Sequence, residues 1–120
     1  MADWWIAHVP ADNLVAYWDF SDPAIPNTYR DTSATAIVAA SLLKLAALLQ
    51  DQPSAEFYRK HAENTVESLV NEYLTPKGIL TQGCYSPKMS LATKNELVWG
   101  DYYLFEALNV LDGTVGPLIV

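Results

Sequence analysis

The chain has 120 residues, 51% of them hydrophobic and 12% aromatic, which bounds it to one small domain at most. Seven basic residues stand against fourteen carboxylates, a formal net charge of -7, which argues against a nucleic-acid partner because phosphates need a basic surface. A single cysteine, Cys84, excludes an internal disulfide and fits a reducing compartment.

The opening Met-Ala-Asp-Trp-Trp has neither the basic region nor the long apolar region of a secretion signal. The most apolar stretch, Ala34 to Leu49, is interrupted by Thr35, Ser41 and Lys44 and falls short of the roughly 20 residues that a spanning helix needs. A soluble, cytoplasmic protein with no membrane partner is therefore expected. Asp3 to Val9 reads as the end of a helix stopped by Pro10, and such an end straight after Met1 leads us to expect that Met1 is not the natural start.

A long irregular stretch follows, broken by Pro10, Asp12-Asn13, Asp22-Pro23 and Pro26-Asn27. Thr28 and Asp31 have the spacing of a capping box, with Asp in place of Glu, so a helix is expected from about Arg30 to Leu49. That helix is apolar nearly all round and must be covered on most sides. After the turn Gln50-Asp51-Gln52, Pro53 occupies a first helical position. The helix to about Leu74 is amphipathic, with Phe57, Tyr58, Ala62, Val66, Leu69, Val70 and Tyr73 on one stripe and Arg59, Lys60, His61, Glu63, Glu67 and Asn71 facing water. A second long loop reaches about Leu97, with Gly78 to Thr81 as a short extended piece, and Val98 to Leu111 is again apolar on most sides. The fold class is all-α. Buried-type helices, each preceded by a long aromatic-rich loop and joined to an amphipathic helix by a tight turn, suggest a ring of hairpins whose loops, at about 10–29 and 76–97, open on one rim; a plain bundle fits the same helices with shorter connections.

The first loop carries Tyr17-Trp18-Asp19-Phe20 and Tyr29-Arg30-Asp31, and the second carries Gln82-Gly83-Cys84-Tyr85 before Trp99-Gly100-Asp101. Aromatic rings can stack on the apolar faces of sugars, carboxylates accept from their hydroxyls, and an Arg fork fits a carboxylate or sulfate. The same residues also make ordinary structure: Trp18 and Phe20 as core anchors, Arg30 paired with Asp19 or Asp31, Asp101 on a helix dipole, Tyr102 and Tyr103 in the core. Gly100 at a helix start permits close approach of backbone or ligand. Asp19, Asp22, Asp31 and Asp101 are the carboxylates from which an acid–base pair would have to come. His8 and His61 form no metal-type pattern, Cys84 has no histidine partner in sequence, and no glycine-rich phosphate loop is present, so neither metal nor cofactor is expected.

Tyr17-Trp18-Asp19-Phe20, Pro23, Pro26 and Tyr29-Arg30-Asp31-Thr32-Ser33-Ala34 resemble the "YWDF…P…RDSSA" block of the unsaturated glucuronyl hydrolases, glycoside hydrolase family 88. Gly78-Ile79-Leu80 and Trp99 to Leu108 resemble its "GIL" and "WGDYYFLEAL" segments, in the family's order and spacing. The resemblance implies that residues 1–120 are a single partial domain, the C-terminal portion of an (α/α)6 barrel of alternating inner and outer helices. It implies a parent glycosidase that removes the unsaturated uronic acid from lyase-generated oligosaccharides: hydration of the ring double bond gives a product that opens and releases the neighbouring sugar, with no metal. The family's catalytic aspartates lie upstream, so none is expected in this segment. The substrate contacts implied here are Trp18, Asp19, Arg30, Gln82, Tyr85 and Trp99, with Gln82 standing where the family often has histidine. The alternatives are an unsaturated rhamnogalacturonyl hydrolase, a non-catalytic helical binding module, or an inactive gene remnant. Inner-helix faces left bare by a partial ring would favour self-association.

Overall fold

The computed structural model describes residues 1–118. Its helices are α1 (Ala2–His8), α2 (Thr32–Leu49), α3 (Pro53–Tyr73) and α4 (Val98–Leu111), with one 3-10 turn at Pro87–Met89. Among the described residues there is no strand; the extended pieces meet only as isolated bridges, Tyr17 with Arg30, Leu74 with Leu80, Gly83 with Asn95 and Ser86 with Leu91. The all-α expectation holds, and the 78–81 piece contributes one of those bridges.

α2 starts at Thr32, later than the capping-box reading places it. Asp31 itself is the N-cap, accepting from the Ser33 and Ala34 amides. Thr28 takes no part, because its hydroxyl donates to Asp22 at 2.6 Å. Arg30 is held in the extended bridge to Tyr17, so helical dihedrals cannot begin before it ends. From there α2 runs down the middle of the fold. Ala36, Ala39, Ala40 and Ala46 are buried with Leu42 and Leu43, and these small side chains let α3 and α4 come close on either side. Each buried leucine contributes about 1.5–3 kcal/mol. α2 is long and apolar enough to cross a membrane by length and composition, and half of it is buried inside the fold, as for a core helix.

Gln50 turns the chain at φ 50, and Pro53 opens α3 as its spacing suggested. The buried face of α3 is Ala55, Ala62, Thr65, Val66, Leu69 and Tyr73, with Tyr58 and Val70 packed at its margin. Phe57 does not join this stripe: one step from Tyr58 turns it about 100° away, and it is 54% exposed. His61, expected on the wet face, is half-buried; its Nε2 has no hydrogen-bond partner among the described residues, and burial lowers its pKa.

α4 runs alongside α2 in the same direction. Near the two N-termini, a Cβ on Gly100 would stand 3.1 Å from Ser33 Cβ and 3.2 Å from its Cα. Further along, Lys44 Nζ meets Glu106 Oε1 at 2.6 Å, and this bond raises the lysine pKa. Only one side of α4 is covered. Gly100, Leu104 and Ala107 are buried, whereas Val98, Tyr102 and Phe105, at one-turn spacing, are 74%, 59% and 68% exposed. Tyr102 is thus not a core residue here; Tyr103 is half-buried and packs against the cluster around α2.

Because a backbone atom cannot swing aside as a side chain can, Gly100→Val is expected to destabilise the chain by about 2 kcal/mol, read as a lowered denaturant midpoint. Gly113→Ala, at φ +82 with nothing near its Cβ position, carries backbone strain without a steric contact and so separates the two effects.

Candidate functional site

The N-terminal ends of α2 and α4 lie side by side, and each of the long loops runs into one of them. Residues 9–31 lead into α2 and residues 74–97 into α4. Backbone bonds lock the first loop onto the start of α2: the Trp18 amide donates to Tyr29 O at 3.0 Å and the Asp31 amide to Ala16 O at 2.8 Å. Its tip is closed by three side chains. Trp18 Nε1 donates to Asp22 Oδ2 at 2.6 Å and to Thr28 Oγ1 at 3.1 Å, and the Thr28 hydroxyl donates to Asp22 as well. Bonds from Thr28, from the Ala24 amide and from Trp18 hold the Asp22 carboxyl below the usual carboxylate range.

Trp18 therefore spends its polar handle inside the loop, with its ring half-buried. Asp19 accepts from the Ser21 amide at 2.8 Å and shapes a turn. Phe20 is an anchor, edge-on to Trp4 and to Trp5 at 5.2 Å each, tying α1 to the loop.

Arg30 pairs with neither Asp19 nor Asp31. Its guanidinium donates to Asp12 at 2.9 Å, to Asn13 Oδ1 at 3.0 Å and to Val15 O at 2.7 Å, and lies 4.2 Å from the Tyr17 ring centre. The bridge to Tyr17 aims the side chain back under residues 12–15, which the sequence spacing to Asp19 and Asp31 did not indicate. Asn13 in turn donates to the Tyr73 hydroxyl, so this cluster fastens the loop to α3. The hydrogen bond from Arg30 holds Asp12 below its usual pKa.

In the second loop, Gln82 sits at φ 59 with its carbonyl accepting from the Thr32 amide at 3.2 Å. Gly83 and Asn95 exchange backbone bonds at 2.8 and 3.0 Å, and a Cβ on Gly83 would fall 2.9 Å from Asn95 O and 2.8 Å from Leu97 Cγ. Sequence reading passed over Gly83; its neighbours Gln82 and Cys84 gave no sign that the returning chain at Asn95 would pass so near. The Leu80 amide donates to Asp101 at 2.9 Å. Glu96 was also missed: a hydrogen bond to Asp101 raises its pKa. Cys84 is buried, and burial, then the charge of Asp31, pushes its thiol up to about 11, which suits no nucleophile at neutral pH.

Tyr85 in the second loop and Trp99 in the first turn of α4 both reach solvent. The rings meet edge to face at 6.2 Å and are 64% and 39% exposed. The loops come near each other again where Lys94 joins Pro26–Tyr29 around an open cavity of about 410 Å³. Of the named contacts, then, Gln82, Tyr85 and Trp99 gather beside the starts of α2 and α4, Trp18 and Asp19 build the tip of the first loop, and Arg30 turns toward α3. Asp19, Asp22, Asp31 and Asp101 are each engaged by backbone or side-chain donors. No group of three or more potential metal ligands occurs among the described residues.

No family model matches the chain. It is 37% identical over 114 residues to the unsaturated glucuronyl hydrolase of Bacillus sp. (strain GL1), an alignment covering 90% of this chain and 30% of that protein. The crystal structure of the Bacillus sp. GL1 enzyme superposes with a TM-score of 0.88 at 36% identity, over 95% of this chain and 32% of that one. The chain belongs to the unsaturated glucuronyl hydrolase family. Its helices are a segment of that family's α/α barrel. Another relative in this family is the unsaturated chondroitin disaccharide hydrolase of Streptococcus agalactiae serotype III (strain NEM316), 30% identical over 90% of this chain and 28% of that protein. A Streptococcus agalactiae unsaturated glucuronyl hydrolase variant solved with dGlcA-GalNAc6S has a TM-score of 0.81 at 27% identity, over 89% of this chain and 30% of that one. The chain spans about 30% of the length of these curated relatives.

Arg30→Ala strips three acceptors of one shared donor and is expected to cost about 2–3 kcal/mol in a denaturant melt. Asp12→Asn is expected to cost under about 1 kcal/mol, since that carboxylate is largely exposed. The folded pKa of Asp12 is depressed, so its contribution is present above the unfolded value near 3.8 and lost as pH falls through the folded one. The difference between wild type and Asp12→Asn is therefore expected to vanish in acid.

Proposed function

We propose that this chain forms part of the sugar-binding wall of a glycoside hydrolase that removes an unsaturated uronic acid from lyase-generated oligosaccharides. The observation that carries this reading is the exposed Tyr85–Trp99 pair at the start of α4, standing on a glycine-pinched loop in a segment related to unsaturated glucuronyl hydrolases. Two exposed rings inclined at 61° suit the apolar face of a pyranose and leave their polar handles for its hydroxyls. The names of the relatives, glucuronyl and chondroitin disaccharide hydrolase, favour an unsaturated uronyl di- or oligosaccharide as the ligand.

The division of labour follows from how the carboxylates are used. Asp19, Asp22, Asp31 and Asp101 are each committed to a turn, a loop tip, a helix cap or a loop amide. On this reading, acid–base chemistry at the ring double bond comes from residues outside the chain, and this segment binds and orients. The bare stripe Val98, Tyr102 and Phe105 belongs against further helices of the same barrel, and in the isolated chain it drives self-association.

In a hydrolase that contains this segment, Tyr85→Ala and Trp99→Ala are each expected to raise KM for an unsaturated uronyl disaccharide about tenfold, a loss of about 1.4 kcal/mol, with little change in kcat. Unchanged KM in both variants would remove the pair from the cleft. For the isolated chain, sedimentation should show mass rising with concentration, and Phe105→Glu should reduce it; a monomer at all concentrations would contradict the exposed-stripe reading.

A further inference from the structure

The junction between the loops converges on Asp31 and Thr32. Asp31 Oδ1 accepts from the Ser33 amide at 3.0 Å, from the Ser33 hydroxyl at 2.6 Å and from the Cys84 amide at 3.2 Å. Capping accounts for the bonds to the first turn of α2, and for nothing from a residue 53 positions downstream. Thr32 repeats the pattern, its amide donating to Gln82 O at 3.2 Å and its hydroxyl to Thr81 O at 2.5 Å. Held by these anchors, Gln82 occupies the left-handed region that a non-glycine residue adopts only under constraint. Tyr85 follows directly, with its amide on Ala92 O at 2.8 Å and its ring against Trp99.

We propose that Asp31 is a positioning residue: beyond capping α2, its carboxylate clamps the backbone at Cys84 and so fixes Tyr85 against Trp99. The clamp stands on geometry alone, whereas its value for sugar binding rests on the function proposed above. Removing it leaves the segment from Gln82 to Tyr85 tethered through Thr32 and Gly83 but free to lift at Cys84.

Cys84 supplies the readout. It is 6% exposed and its thiol is pushed up to about 11, so in the native chain it should react slowly with a maleimide. Asp31→Ser and Asp31→Asn both remove the charge and both retain a capping oxygen. Only Asn keeps an oxygen where the Cys84 amide can reach it. With melting temperatures alike, Asp31→Ser is expected to label roughly tenfold faster than Asp31→Asn, the effect of losing one such bond; equal rates would overturn the clamp. Amide hydrogen exchange in the unmutated chain tests it without any variant. Protection of the Cys84 amide comparable to the first turn of α2 is expected, and exchange at the rate of an open loop would overturn it. Titration with an unsaturated uronyl disaccharide separates the two readings, since Asp31→Ser should bind it less tightly than Asp31→Asn. If labelling differs and binding does not, the clamp stands and the cleft role of Tyr85 falls.

Discussion

Gly100 lies against the Cα and Cβ of Ser33, and from that contact the arrangement of both loops follows. A side chain of any size there would prise the starts of α2 and α4 apart. With hydrogen in its place, the helices run together from their first turns, down to the Lys44–Glu106 pair. The second loop must then finish where the first one does, close enough for Thr32 to reach Thr81 and Gln82 and for Asp31 to reach Cys84. Asp101, one residue beyond Gly100, holds Leu80 from the other side. Buried polar groups at this junction, Thr32, Ser33 and Thr35 among them, are all bonded, as burial at this depth demands.

The two faces of α4 differ in what covers them. Leu104 and Ala107 complete the core around α2, while Val98, Tyr102 and Phe105 meet water. Such a stripe costs solubility in an isolated chain and is ordinary where further helices cover it, and the chain spans about 30% of the length of its relatives. Where α3 faces out, Arg59 pairs with Glu63, and the Arg30 cluster ties the first loop down through Asn13 and Tyr73.

The helices were legible because their periodicity is strong and their punctuation is local. Pro53 and the stretch Val98–Leu111 fall where the pattern puts them, and Tyr17-Trp18-Asp19-Phe20 together with Trp99-Gly100-Asp101 carried the family resemblance. What failed to show was anything decided by where an extended loop sends a side chain. Arg30 was read against its neighbours in sequence, yet the bridge to Tyr17 turns it to Asp12. Thr28 has capping-box spacing but is captured by Asp22 within the loop. Tyr102 looked buried because hydrophobic character tells which residues prefer a core, not which face of a helix this chain has the material to cover. Gly83 and the Glu96–Asp101 contact depend on loop closure, which leaves no periodic trace.

The central claim is that the starts of α2 and α4 carry a sugar-facing surface, and a crystal structure of a hydrolase containing this segment, soaked with an unsaturated uronyl disaccharide, tests it most directly. The account predicts sugar density in van der Waals contact with the rings of Tyr85 and Trp99, with the loop anchored at Cys84 as it is here. A sugar bound with both rings out of contact would contradict it.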